Sequence, residues 1–140
     1  MKIGMNLLLW TGNVTEDHYP LLEKIKSWGF DGAELPMFGF DPSQYQAIRK
    51  KMDSIGLECT TVTIVPPEAN PIDPDANVRA AAVDRLKKAI DTCHILNAKT
   101  MCGPYVSPGG KLVGRGRTAD EWKWAVECFQ KVAPHAQQAG

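Results

Sequence analysis

The chain has 140 residues, 44% hydrophobic and 23% charged, with 16 basic side chains balanced by 16 acidic ones. This length fits one ordinary domain, residues 1–140, able to bury roughly 70% of the surface its unfolded form exposes, so it needs no disulfide or metal to hold a core. The composition excludes a disordered chain, and the zero net charge argues against a dedicated nucleic-acid binder. No apolar run approaches the ~20 residues of a membrane span.

In chain order, Ile3–Leu9 reads as a first strand, apolar on both faces as a parallel strand covered on both sides is. A polar turn at Thr11-Gly12-Asn13 follows. The next helix runs from Thr15 or Asp17 to Trp28, with Leu21, Leu22, Ile25 and Trp28 on one side and Gly29 as its stop. Phe30–Leu35 is a second strand. The second helix spans Pro42–Ile55 on the stripe Tyr45, Ile48, Met52 and Ile55, opened by proline and closed by Gly56. Leu57–Val65 is a third strand, rich in β-branched residues. A long third helix covers Asp75–Leu96 with Val78, Ala82, Leu86, Ile90 and Cys93 buried, and Lys99–Cys102 is a fourth strand. After a Gly/Pro-rich loop, Thr118 and Glu121 form a capping box. The last helix then buries Trp122, Ala125, Val126, Phe129 and Val132, with Pro134 placed to kink or break it.

The pattern is four βα units in succession, an α/β chain with a parallel sheet. Two architectures accommodate it: a doubly wound open sheet, or half of a (β/α)8 barrel. In both, ligands bind at the carboxyl ends of the strands. Those ends carry Asn6 and Trp10, then Glu34, then Thr63 and Ile64, then Tyr105. Glu34, a carboxylate between Ala33 and Leu35, requires a partner if buried; it is either a substrate group or half of a structural ion pair. Trp10 is either an aromatic wall for a sugar ring or a packing residue.

The loop Ser107–Arg117 carries Lys111, Arg115 and Arg117 among four glycines, an anion cradle or a charged surface flap. It does not form a Walker A loop, and no GxGxxG follows the first strand. His18, His94 and His135 fall on helices without metal-ligand spacing. Cys59, Cys93, Cys102 and Cys128 stand apart in apolar stretches and read as buried, reduced thiols, with a cytoplasmic location as the default. The amino terminus lacks the apolar core of a secretory signal.

Several segments together carry a likeness. Lys2-Ile3-Gly4-Met5-Asn6, Trp28-Gly29-Phe30-Asp31-Gly32-Ala33-Glu34-Leu35, Cys102-Gly103-Pro104-Tyr105 and the run from Gly114 to Lys123 resemble the amino-terminal half of the sugar phosphate isomerase/epimerase family. Among its members the ketose 3-epimerases, of D-tagatose and D-allulose type, are the nearest in pattern. The resemblance implies half of a TIM barrel, cut before its fifth strand. It also implies a parent activity that moves a proton beside a ketose carbonyl through an enediolate, with a divalent metal (Mn2+, Co2+ or Mg2+) and two glutamates.

In that family the metal ligands and both proton-transfer glutamates belong to strands five to eight. The resemblance therefore assigns no catalytic or metal-binding residue here, no metal bound by this chain alone, and no turnover. It assigns a substrate-facing wall of Asn6, Glu34, Thr63, Ile64 and Tyr105, to which the residue pattern adds Trp10. The expected partner is a ketose or ketose phosphate, together with self-association through exposed sheet edges or a complementary carboxyl-terminal half. The alternatives are a non-catalytic sugar-phosphate binding module using the glycine-rich loop, and a half-barrel scaffold fragment.

Overall fold

A computed structural model describes residues 1–110 and 113–140. Lys111, one of the three loop cations singled out above, lies outside the described residues. Four strands, β1 (Gly4–Asn6), β2 (Gly32–Pro36), β3 (Glu58–Val62) and β4 (Met101–Cys102), alternate with four α-helices, α1 (Tyr19–Ser27), α2 (Pro42–Ile55), α3 (Ala76–Leu96) and α4 (Ala119–Ala139). The strands form one sheet in the order β1-β2-β3-β4, every neighbour parallel. That order decides between the two architectures. A doubly wound sheet reverses its strand order at a switch point, whereas a barrel adds each strand beside the last. The fold is half of a (β/α)8 barrel.

The chain comprises two compact units. The first is Met1–Thr63 with Asp91–Cys102, and it holds the whole sheet. Its core is built from Leu7, Leu22, Ile25, Leu35, Ile48 and Met52, each at most 1% exposed. Side chains of this size contribute about 1.5–3 kcal/mol each on full burial. Helix α1 packs on β2 and α2, and α2 packs on β3. Asp41 caps α2 by accepting from Ser43 N at 3.0 Å, and Gly56 closes it in the left-handed region at φ +65°. Gly32 permits the close approach of β2 to β3, since a Cβ there would lie 2.9 Å from the Glu58 carbonyl oxygen.

The second unit is Ile64–Ile90 with Gly103–Gly140. Val65, Ala82, Leu86 and Ala89 are buried in it, as are Ala125, Cys128 and Val132 of α4. Arg85 Nε donates to the Ile64 carbonyl at 3.0 Å, and the Arg79 guanidinium lies over the Trp124 ring at 4.5 Å. Asp75 Oδ1 accepts from Asn77 N at 2.8 Å as α3 begins. No described helix is long and apolar enough to cross a membrane.

The elements depart from the sequence reading in several places; β3 and β4 are shorter than the expected Leu57–Val65 and Lys99–Cys102, and α1 starts at Tyr19. The first strand is three residues, not seven: Asn6 Oδ1 accepts from Leu8 N at 2.7 Å, and Leu7–Leu9 turn into a 3-10 helix. A side chain that binds its own backbone two residues on ends the ladder there. Trp28 is 49% exposed beneath Lys24, so α1 buries Leu22 and Ile25 without it. In α4 the buried line is Ala125, Cys128 and Val132, while Trp122 is 54% exposed and stacks under Arg117 at 4.3 Å. The same helix runs through Pro134 to Ala139.

Candidate functional site

The carboxyl ends of β1, β2 and β4 bring three side chains together. Residues Asn6, Glu34 and Thr60 are in register across β1, β2 and β3, and Val62 is in register with Cys102 on β4. Alternation along each strand puts Asn6, Glu34, Thr60 and Cys102 on one side of the sheet. Asn6 Nδ2 donates to Glu34 Oε1 at 2.5 Å, and Cys102 Sγ donates to Glu34 Oε2 at 2.9 Å. Adjacent strands lie about 4.8 Å apart, so β2 and β4 are separated by about 10 Å in a flat sheet. Glu34 therefore meets Cys102 over the top of β3, which requires the sheet to curl toward this side.

The three residues form a chain of donors and acceptors. Leu8 N–H points at Asn6 Oδ1, the Asn6 amide at one carboxylate oxygen, and the Cys102 thiol at the other. Burial, then the hydrogen bond to Glu34 and its negative charge, push the Cys102 thiol up to about 11. Cys102 is thus a hydrogen-bond donor and not a thiolate. Of the four free cysteines, Cys59, Cys93 and Cys128 are buried, and burial pushes the Cys59 thiol up to about 12. Cys102 alone among them is half-buried, which corrects the reading of all four as core thiols. On the same side of the sheet, toward the amino ends of the strands, lies a cavity of about 340 Å³ lined by Lys2, Asn6, Gly32, Glu34, Glu58 and Thr60 among others. Lys2 and Glu58 pair across it.

Trp10 follows the 3-10 turn and is 46% exposed. Thr63 is 1% exposed; its backbone N–H donates to the Cys102 carbonyl, while its hydroxyl has no hydrogen-bond partner among the described residues. Ile64 and Tyr105 belong to the second unit. Ile64 is partly exposed, and Tyr105 is half-buried with its hydroxyl turned inward. His18 closes the first helical turn, its Nδ1 accepting from Thr15 N at 3.1 Å.

The glycine-rich loop has two of its cations engaged. Arg115 makes a bidentate pair with Glu121 at 2.8 and 2.9 Å, and Arg117 lies on Trp122. Glu121 Oε2 also accepts from Thr118 N at 2.7 Å. These contacts hold the Glu121 carboxyl down at about 2, first through Arg115 and then through the Thr118 amide.

The profile of xylose isomerase-like TIM barrels matches residues 22–140. The chain belongs to that family. It is 25% identical over 133 residues to a Synechocystis protein named "Probable ketose 3-epimerase", covering 95% of this chain and 46% of that protein. Among solved structures, D-allulose 3-epimerase from Methylomonas sp. superposes with a TM-score of 0.87 at 21% identity, covering all of this chain and 49% of that one. L-ribulose 3-epimerase gives 0.87 at 24% identity, covering all of this chain and 48% of its own. The chain spans about half the length of these relatives. The structural likenesses show the fold, four of a barrel's eight strands.

Among the described residues, no group of three or more His, Cys, Asp and Glu side chains is placed to hold a metal ion. The Glu34 cluster does not fit one either. A divalent cation needs several oxygen or nitrogen lone pairs. Around Glu34, Asn6 presents its N–H and Cys102 its S–H, so the carboxylate is surrounded by donors.

Proposed function

We propose that this chain is the amino-terminal, sugar-facing half of a ketose epimerase or isomerase, one half-barrel domain of the whole. In this reading it supplies part of the wall that receives the ketose, with Asn6, Trp10, Glu34, Thr63, Ile64 and Tyr105 as contact residues. The groups that move the proton, and any divalent metal, belong to the complementary half. What supports the reading is the likeness to a ketose 3-epimerase over 95% of this chain. The Glu34 cluster agrees with it, being rich in hydrogen-bonding groups and poor in metal ligands.

Proton exchange at C3 of D-fructose in D2O, followed by NMR, tests this directly. The 140-residue chain with Mn2+ is expected to give none, and the chain extended by the carboxyl-terminal half of a relative is expected to give exchange. Exchange by the 140 residues alone would overturn the division of labour. The same reading includes self-association, or capture of a complementary half, through the free edges of β1 and β4, because each strand leaves ladder groups unpaired on its outer side. Sedimentation at tens of micromolar reads this, and a persistent monomer argues against the self-association.

The sugar-phosphate module draws less support, because Arg115 and Arg117 are already engaged within the chain. Calorimetry with a ketose and its phosphate distinguishes the two readings: tighter binding of the phosphate favours the module.

A further inference from the structure

We infer that Cys102 is a positioning residue for Glu34: its thiol, with the Asn6 amide, pins the two carboxylate oxygens so that one remaining lone pair on each receives adjacent hydroxyls of a polyol. The inference rests on the ketose reading above and names the chemistry it recognises, a vicinal diol.

Each carboxylate oxygen has two acceptor positions. Asn6 Nδ2 takes one on Oε1 at 2.5 Å, and Cys102 Sγ takes one on Oε2 at 2.9 Å. The Asn6 amide is itself oriented, because its oxygen accepts from Leu8 N at 2.7 Å and so its nitrogen must face Glu34. Glu34 is thus held from β1 on one side and from β4 on the other. Glu34 is half-buried and lines the cavity of about 340 Å³ on this side of the sheet, so it keeps solvent access. A carboxylate restrained at both oxygens loses little further freedom when a ligand arrives, which is how preorganisation raises affinity. Two spare acceptors on one rigid plane match two donors on neighbouring carbons. A thiol serves here because burial and the Glu34 carboxylate both hold it in the protonated form; a thiolate would repel the carboxylate.

Two measurements test this. The first is peptide-resolved alkylation of Cys102 by iodoacetamide as a function of pH, in wild type and in Glu34→Gln. Losing the carboxylate is expected to move the Cys102 profile to lower pH while leaving Cys59 and Cys128 unchanged; an unchanged Cys102 profile overturns the coupling. The second is NMR titration with D-fructose and with 1-propanol, which lacks a diol. Wild type is expected to respond to the sugar only. Cys102→Ala is expected to weaken binding about tenfold, the scale of one hydrogen bond to a charged group, and Cys102→Ser, which keeps a donor, to restore most of it.

Equal binding by wild type and a folded Cys102→Ala overturns the positioning role and leaves the ketose reading intact. If Cys102→Ala does not fold, Cys102→Ser against Cys102→Val decides in the same way. No response of wild type to D-fructose overturns the polyol site itself, whatever the alkylation shows.

Discussion

Two glutamates in this chain meet opposite fates. Glu121, in the first turn of α4, is satisfied within its own neighbourhood: Arg115 grips both oxygens, and the Thr118 amide donates to one. Among the described residues, Glu34, on β2, is held by neutral donors, one from β1 and one from β4. The first carboxylate is neutralised by a full positive charge and closes a cap. Among the described residues, no cation is in hydrogen-bond or ion-pair contact with the second, and it retains acceptor positions. The difference teaches that a carboxylate's role follows from what its partners leave over, more than from how many partners it has.

The largest effect expected from breaking this contrast is at Glu34. Replacing Glu34 with Ala removes both acceptors and strands the Asn6 amide and the Cys102 thiol; D-fructose binding by NMR is expected to fall by about tenfold or more, each lost charged hydrogen bond being worth about 1.5–3 kcal/mol. Glu121→Ala is expected to leave that binding unchanged.

Next comes the cap. Thr118 Oγ1 accepts from Glu121 N at 3.1 Å, and Thr118→Ala is expected to cost about 1 kcal/mol in urea unfolding. Acid sharpens the same point. The Glu121 carboxyl lies well below its ordinary value of 4.5, at about 2. Its stabilising contribution is therefore complete above about 4.5 and is lost as pH falls from there through about 2. Protection of the Glu121 amide, measured as exchange corrected for the intrinsic rate at each pH, is expected to fall over that window.

The smallest effect belongs to exposed charge pairs. Lys2→Ala removes a surface partner of Glu58, and the urea unfolding midpoint is expected to stay nearly unchanged, because an exposed, solvent-screened pair adds little to stability.

How much of this was legible in sequence depended on how local each signal is. Helix α2 starts and ends where Pro42 and Gly56 place it, because capping and left-handed glycine are decided within a few residues. The Thr118–Glu121 box was readable for the same reason. Strand limits were not: Ile3–Leu9 shrank to Gly4–Asn6 because the Asn6 side chain bonds its own backbone and ends the ladder. The stripe on α4 holds at Ala125 and Val132, but Cys128 is buried while Trp122 and Val126 are exposed, Trp122 finding Arg117 in the preceding loop instead of the core.

Glu34 stood out as a carboxylate between apolar neighbours, yet its partners were invisible. Asn6 is 28 residues away and Cys102 is 68 residues away, joined only by strand register and sheet curvature. Apolar neighbours make Cys102 look like the other three cysteines. Its place as the last residue of a strand was the one available clue.

Gly32 carries a final consequence. The missing methyl at this position is what lets β2 seat against β3, for its would-be Cβ meets a main-chain oxygen that no rotamer change can move aside. Even alanine there acts as a wedge between the two strands, and the damage would travel two residues along β2 to the carboxylate's aim. A change far below the mouth of the sheet would then masquerade as a defect in ligand recognition.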